Sequence, residues 1–227
     1  TLSNKLSHEL RTPLAVVRSS LDNLEHEALG DKACTFLLRA RDGSERLSKL
    51  ISAMSAASRV ENSIQSAGRE VFDLAELLRQ LVAAYADIYP QTLELDIAPA
   101  NYNVNGAPEL LVQLLDKLSD NASDFCPPGG IIEYRLQRID DNILLSVSND
   151  GPLLPEKMRE QLFDSLVSMR GNITSHNKNS DNSPHMGLGL HIVRLIAVFH
   201  GGRVRAQNRQ DESGVIFSLE LPTQRAK

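Results

Sequence analysis

Leu6-Ser7-His8-Glu9-Leu10-Arg11-Thr12-Pro13-Leu14 is the stretch from which the fold of this chain is read. It sits inside a strongly helical sequence, and from Leu10 onward the apolar residues fall at Leu10, Leu14, Val17, Leu21, Leu24 and Ala28. Spacings of four and three alternate, which makes a heptad seam along one helix. Gly30 and Asp31 interrupt the pattern, with Asp31 expected as the N-cap of a second helix. That helix carries a seam of its own at Phe36, Ala40, Gly43, Leu47, Leu50, Met54 and Ala57. Two amphipathic helices joined by a tight link form an antiparallel hairpin, but about sixty residues in two helices cannot enclose a core. Pairing of two copies into a four-helix bundle answers that problem. Packing against the downstream part of the chain alone is the other answer.

Beyond this hairpin, 227 residues with 41% hydrophobic content leave room for a larger second domain. The net charge of -5 argues against a nucleic-acid partner, which would need a basic face. Cys34 and Cys126 have no metal-ligand spacing and read as ordinary thiols of a reducing compartment. No apolar run approaches the about eighteen residues of a membrane span, and no signal peptide is present. Thr1 begins within a helical pattern without an initiator Met, so the expectation is a portion of something longer.

Residues 62 to 69 are small and polar with one Gly, which suits a hinge. The division is therefore 1–62 for the helical hairpin, 63–69 for the linker and 70–227 for the second domain. Asp73 caps a helix to about Tyr89, stopped by Pro90, and Thr92–Ile97 and Tyr102–Val104 read as strands. Pro108 opens a helix to about Phe125, ended by Pro127-Pro128-Gly129-Gly130. Strands near 131–138 and 142–148 pair around Asp140-Asp141-Asn142. A helix over about 155–162 leads to a polar loop from about Asp164 to Met186, followed by a helix from Leu188 to His200 and strands at 203–207 and 215–221. The fold class is thus α + α/β: a helical hairpin, then an α/β sandwich with helices on one face of a mixed sheet.

Chemistry concentrates at three places. His8 lies two residues before Leu10, off the seam, and its neighbours distinguish it from an ordinary exposed histidine. Pro13 lacks an amide proton and its ring pushes on the carbonyl of Glu9, so the helix should loosen within a turn of His8. Glu9 is placed to orient the imidazole or take its proton, leaving one ring nitrogen nucleophilic, and Thr12 lies four residues on along the same face. Gly187-Leu188-Gly189-Leu190 opens the last helix, where close backbone approach and free amide donors suit an anion such as phosphate. Asn121 and the run Asn149-Asp150-Gly151 precede it.

His-Glu-Leu-Arg-Thr-Pro-Leu resembles the phosphoacceptor motif of the sensor histidine kinases of two-component signalling, at every one of these positions from His8 to Leu14. The order of Asn121, Asn149-Asp150-Gly151 and Gly187 to Leu190 resembles the ATP-binding domain of the same family, with its Bergerat-type sandwich, shared with type II topoisomerases and a heat-shock chaperone. The resemblance implies autophosphorylation of His8 from ATP and transfer to an aspartate on the receiver domain of a response regulator. It also implies Glu9 as acid/base partner and Thr12 as the residue assisting dephosphorylation of the regulator. Further implications are Asn121 as ligand of Mg²⁺, Phe125 packed near the nucleotide, Arg170 facing the phosphates, and Leu162 and Phe163 anchoring a loop over ATP. The partners implied are a second copy, paired through the hairpin, and the regulator. The location implied is the cytoplasmic portion of an inner-membrane sensor, touching the membrane only through upstream segments.

The chain departs from the family at several positions. Where the family reads adenine with an Asp in Asp-x-Gly-x-Gly, this chain has Asn149, with Asp150 next and Leu153 at the second Gly. An amide oxygen still accepts from an exocyclic amine, without charge; either Asn149 or, by a local shift, Asp150 makes that contact. Lys117 and Asp124 stand where an Asn and a basic residue are usual, on one helical face with Asn121. Lys117 either supplies the phosphate-facing charge missing at 124 or pairs with Asp120 or Asp124. His185 replaces a common Gly. These departures keep open a non-enzymatic alternative, a signalling scaffold with weakened nucleotide binding.

Overall fold

The computed structural model describes the backbone of residues 2–27, 29–156, 159, 162–163 and 188–223; the side chains of 2–9, 46, 49, 53 and 188 lie outside that description. The elements are α1 (Leu2–Glu25), α2 (Asp31–Ser66), β1 (Glu70–Asp73), α3 (Leu74–Tyr85), β2 (Thr92–Ile97), β3 (Asn103–Gly106), α4 (Pro108–Phe125), β4 (Ile131–Ile139), β5 (Asn142–Asp150), α5 (Leu188–Phe199), β6 (Arg203–Asn208) and β7 (Gly214–Pro222).

The hairpin of α1 and α2 forms as its periodicity requires, and α1 runs unbroken through Pro13. Asp31 is the first residue of α2, with Gly30 as N-cap and no side-chain cap bond; the carboxylate instead faces the positive end of the helix from its first turn. Near the linked end of the pair, Arg41 forms an ion pair with Glu25 at 2.6 Å. The two helices pack along their length, and on α2 the residues Leu37, Ser44, Ile51, Ser55 and Ser58 are buried. The stripe at Phe36, Leu47 and Met54 is one position away, and Phe36 remains 66% exposed and Leu47 53%. Leu10, Val17 and Leu24 on α1 are likewise exposed. One hairpin therefore leaves much of both apolar seams exposed, with Leu14, Leu21, Leu50 and Ala57 half-buried.

α2 stays helical through residues 62–66, and the non-helical link to β1 is Ala67 to Arg69. Its last turns pack on the second domain: Val60 is buried in the same core as α3, α4 and α5, with Ala56, Ile64 and Ala67 against it. The Arg69 guanidinium lies 4.6 Å from the centre of the Phe199 ring and donates to the Phe199 carbonyl at the end of α5. A cation at a helix C-terminus meets unsatisfied carbonyls and the negative end of the dipole.

In the second domain β1 pairs antiparallel with β3, and a five-stranded sheet runs β2-β4-β5-β7-β6. Only β2 and β4 are parallel, so the sheet is mixed. The strands alternate: Ile132, Tyr134 and Leu136, then Ile143, Leu145 and Val147, then Val215, Phe217, Leu219 and Leu221 are buried on one face under the helices, and the pattern breaks where Ser148 and Gly214 are buried too. The opposite face carries Glu133, Arg135, Arg203 and Glu220, with ion pairs Arg135–Glu133 at 2.5 Å and Arg203–Glu220 at 2.7 Å. Asp73 caps α3 by accepting from Ala75 N at 2.9 Å, and Pro108 opens α4. α3 ends at Tyr85, earlier than expected; its last turn gives way to turns before Pro90. Of the helix expected over about 155–162, residues 157, 158, 160 and 161 lie outside the described residues. Asp140, at the β4–β5 turn, adopts φ 52°, a conformation that Asp tolerates better than most residues.

His200 ties α5 to the start of α4. It is buried, donates from Nδ1 to the Ile196 carbonyl at 2.8 Å and accepts at Nε2 from Ala107 N at 3.0 Å. Burial pushes its pKa below the ordinary value, and both bonds suit the neutral ring. A side chain at Gly106 would run into this imidazole, which accounts for the glycine there. Among the described residues, no helix is long and apolar enough to cross a membrane.

Candidate functional site

A cavity of about 370 Å³ opens between α4, the end of β5 and the start of α5. α4 is amphipathic in the sense that matters here. Leu110, Leu111, Leu114, Leu115, Leu118 and Ala122 are buried against the sheet, which turns Lys117, Asp120, Asn121 and Asp124 toward the cavity. Its floor and apolar wall come from Val215, Phe217, Leu153, Leu154, Leu162 and Phe125. Phe163, buried beside Leu162, meets Phe217 edge to face at 6.3 Å between ring centres. Gly189 and Leu190 at the head of α5 close the far side. A mostly apolar hollow with a few convergent polar groups and a helix N-terminus at one end suits a flat base attached to an anionic tail.

The carboxamide of Asn149 lines this cavity and the residue is only 1% exposed. Its Nδ2 donates to the Asp150 carbonyl at 2.9 Å, which leaves Oδ1 as an acceptor for a ligand. Asp150 does not line the cavity. Its carboxylate accepts from Ile131 N and from Arg209 Nη1, both at 2.9 Å, so the neighbouring carboxylate serves the strand end. Gly151, with φ 145°, is also outside the lining; a side chain there would strike the Phe125 carbonyl.

Lys117 reaches the cavity edge while paired with Asp120 at 3.0 Å, and its side chain is 42% exposed. A Cβ on Gly189 would sit 3.7 Å from Lys117 Cδ, which puts the lysine stem beside the opening of α5. Asp120 also accepts from the Tyr89 hydroxyl at 2.8 Å. That bond and partial burial push the Tyr89 phenol above its ordinary range, burial contributing most. Deeper in, Tyr134 donates to Ser119 at 2.8 Å and is pushed up to about 12, mainly by burial. Both phenols stay protonated at any ordinary pH, so neither is a base.

Arg170, Gly187 and His185 lie outside the described residues, as do the side chains of His8, Glu9 and Leu188. The backbone at His8 and Glu9 is helical, within α1. Thr12 is exposed, and a shallow groove runs along Arg11, Thr12, Ala15, Val16 and Ser19. Tyr89, Val215, Phe217 and Arg209 are absent from the sequence-based expectation. Phe217 was recoverable in principle as the inward residue of an alternating strand; Tyr89 and Arg209 carry no local signal at all.

Among the described residues, no three His, Cys, Asp or Glu side chains gather as a metal centre. Asn121 supplies a neutral amide oxygen beside Lys117 and the start of α5. That donor set fits a hard divalent cation carried in on phosphate oxygens, which needs few protein ligands.

Two family models match the chain. Residues 1–63 match the His Kinase A (phospho-acceptor) domain, and residues 106–225 match the histidine kinase-, DNA gyrase B-, and HSP90-like ATPase. Sensor protein ChvG of Agrobacterium fabrum is 30% identical over 96% of this chain and 38% of its own length. Sensor protein BasS of Escherichia coli is 30% identical over 92% of this chain and 54% of its own length. The chain thus spans about half the length, or less, of these relatives. Among solved structures, the nucleotide-free catalytic domain of histidine kinase ThkA is 25% identical over 69% of this chain and 98% of that one, with TM-score 0.57. Full-length ShkA in complex with AMPPNP shares the fold over 99% of this chain and 46% of that one, with TM-score 0.64 and 23% identity.

Proposed function

The chain belongs to the sensor histidine kinases, carrying the phospho-acceptor and ATPase domains of that family, and we propose that it phosphorylates His8 from ATP and passes the phosphoryl group to an aspartate of a response regulator. The observation that carries this reading is the cavity that brings Asn149, Phe125, Asn121, Lys117 and the head of α5 to one place. Asn149 and the apolar wall take the adenine, and the amides at the start of α5 take the phosphates. Lys117 exchanges Asp120 for a phosphate oxygen when the nucleotide arrives; both are surface-exposed partners, so the exchange costs little. Asn121 would hold Mg²⁺, which when bound supplies charge neutralisation on the phosphate oxygens. On the sequence resemblance alone, Arg170, Gly187 and Leu188 are assigned to the phosphates as well.

His8 attacks the γ-phosphorus in line: the N–P bond forms, the bond to the β–γ bridging oxygen breaks, and ADP leaves. Glu9 holds the imidazole tautomer and accepts the proton displaced from the ring. The residues contribute mainly alignment, since phosphoryl transfer asks for little covalent help from a protein. The regulator docks beside His8, where Thr12 orients a water for the reverse, phosphatase reaction. Two copies pair through the exposed apolar stripes of α1 and α2 into a four-helix bundle. ATP as donor puts this portion in the cytoplasm, as part of a longer membrane sensor.

Incubation with γ-labelled ATP and Mg²⁺ tests the assignment, with His8→Gln as control. Acid-labile label is expected on the chain and lost in the variant. Label that persists in His8→Gln overturns the acceptor; ATP binding without any label favours a signalling scaffold.

A further inference from the structure

A carboxamide differs from the family's carboxylate in one respect that this structure exposes: its two ends are not equivalent. A carboxylate accepts hydrogen bonds in either orientation, whereas an amide turned over would present a donor. Asn149 is therefore selective for the base only if its orientation is held. The structure holds it from behind. Asn149 Nδ2 donates to the Asp150 carbonyl at 2.9 Å, and the Asp150 side chain is anchored at both oxygens, by Ile131 N and by Arg209 Nη1, each at 2.9 Å. Arg209 belongs to the β6–β7 turn. Asp211 organises that turn by accepting from Ser213 Oγ at 2.7 Å and from Arg209 Nη2 at 3.4 Å. The same turn contacts the strand end twice more: Gly151 N donates to the Ser213 carbonyl at 3.0 Å, and a side chain at Gly214 would collide with the Asn149 carbonyl.

We propose that the Arg209–Asp150 ion pair is a positioning device for base selection, holding the Asn149 amide with Oδ1 toward the ligand so that the site takes a 6-aminopurine and rejects a 6-oxopurine. This rests on the cavity being the ATP site. The partially buried pair, with side chains 26% and 31% exposed, fixes the Asp150 backbone whose carbonyl is the amide's counterpart. The peptide from Asp150 to Gly151 is also held by the Gly151 N bond to the Ser213 carbonyl, and Ser213 is placed by the turn that Arg209 and Asp211 brace. Without Arg209 both the Asp150 side chain and that turn lose an anchor, the peptide can turn, and a rotated Asn149 donates to the O6 of hypoxanthine or guanine. Neither residue touches the nucleotide, so both act through Asn149.

The experiment measures dissociation constants for ATP and ITP by calorimetry on the full chain. It compares wild type, Arg209→Ala and Asp150→Asn, each also in an Asn149→Asp background. Asp150→Asn keeps an oxygen for Ile131 N while its amide nitrogen faces Arg209, which removes the charge and the hydrogen bond between the two, so a folding failure of Arg209→Ala does not remove the test. Wild type should favour ATP, and either variant should reduce the ITP-to-ATP ratio of dissociation constants by about fivefold or more, the weight of one oriented hydrogen bond. In the Asn149→Asp background the same changes should leave that ratio unaltered, because a carboxylate has no wrong way round. A merely structural role would weaken both nucleotides alike in both backgrounds, and that result overturns the proposal. An unchanged ratio with ATP binding intact overturns it too, leaving the ATP site standing. Wild type that binds neither nucleotide removes the proposal and the ATP site together.

Discussion

The hairpin and the sandwich solve the burial problem differently. The sandwich closes its own core: Leu110, Leu111, Leu114 and Leu115 on α4 are all fully buried, as are Ile132, Tyr134 and Leu136 on the strand beneath. The hairpin buries only alternate stretches, with serines at 44, 55 and 58 among its inward residues, and turns Phe36, Leu47 and Met54 outward. One part is a finished domain and the other is half of one. A catalytic pocket needs fixed geometry, which the sandwich provides, while a signalling helix pair needs packing that can rearrange, which a bundle with small polar residues in its seams permits.

The sharpest way to break the contrast is to open a cavity in the sandwich. Leu114→Ala, at a fully buried position, should cost about 2–5 kcal/mol, read by denaturant unfolding, with a loss that does not depend on protein concentration. A cost below about 1 kcal/mol would mean that the core under α4 is loosely packed. The matching change in the hairpin is Leu47→Glu. Because Leu47 is 53% exposed in one copy, the variant should leave the sandwich intact yet raise the dimer dissociation constant by about thirtyfold, roughly 2 kcal/mol. Sedimentation over a concentration series reads this, and an unchanged dimer would place the interface elsewhere.

Between the two lies the junction where His200 pins α5 to α4. Its folded pKa is below the ordinary 6.5, chiefly through burial, with the nearby Arg69 charge acting in the same direction. The unfolded chain then binds the extra proton first as pH falls, so stability is fully present above about pH 6.5 and declines below it. The slope is at most about 1.4 kcal/mol per pH unit for one such group. His200→Gln should flatten the His200 part of the stability profile between about pH 6.5 and 5, measured by thermal unfolding at each pH; an unchanged profile would mean that the ring takes up its proton alike in the folded and the unfolded chain.

Legibility followed the same division. Local signals placed β2 at Thr92–Ile97 and α4 from Pro108 to Phe125, where proline, glycine and alternation speak for themselves. They also pointed to Asn121 and Asn149, which line the cavity, whereas the engagement of the Asp150 carboxylate by Ile131 N and by Arg209 of the β6–β7 turn carries no local signal. In the hairpin the periodicity identified the apolar stripe at Phe36, Leu47 and Met54 without saying what it faces. The stripe buried within the chain runs one residue later, at Leu37, Ser44, Ile51 and Ser58, and its serines hide it from a pattern built on apolar residues.

Ser44 gives the smallest and most local test of what the hairpin is built for. It lies between Leu37 and Ile51 in the intrachain seam, is 6% exposed, and its hydroxyl has no hydrogen-bond partner among the described residues. An unpaired buried hydroxyl is a cost carried by the native state, and its removal returns the desolvation penalty without opening a sizeable hole. Ser44→Ala should therefore raise hairpin stability by about 0.5–1 kcal/mol, whereas alanine at the hydrogen-bonded Ser55, whose hydroxyl donates to the Ile51 carbonyl at 2.9 Å, should gain less. Hydrogen exchange of α2 amides reads both changes locally. If Ser44→Ala stabilises α2 and at the same time shifts the balance between labelling of His8 and dephosphorylation of the regulator, the soft seam is part of how the bundle switches; stabilisation with that balance unmoved would make it only a packing defect.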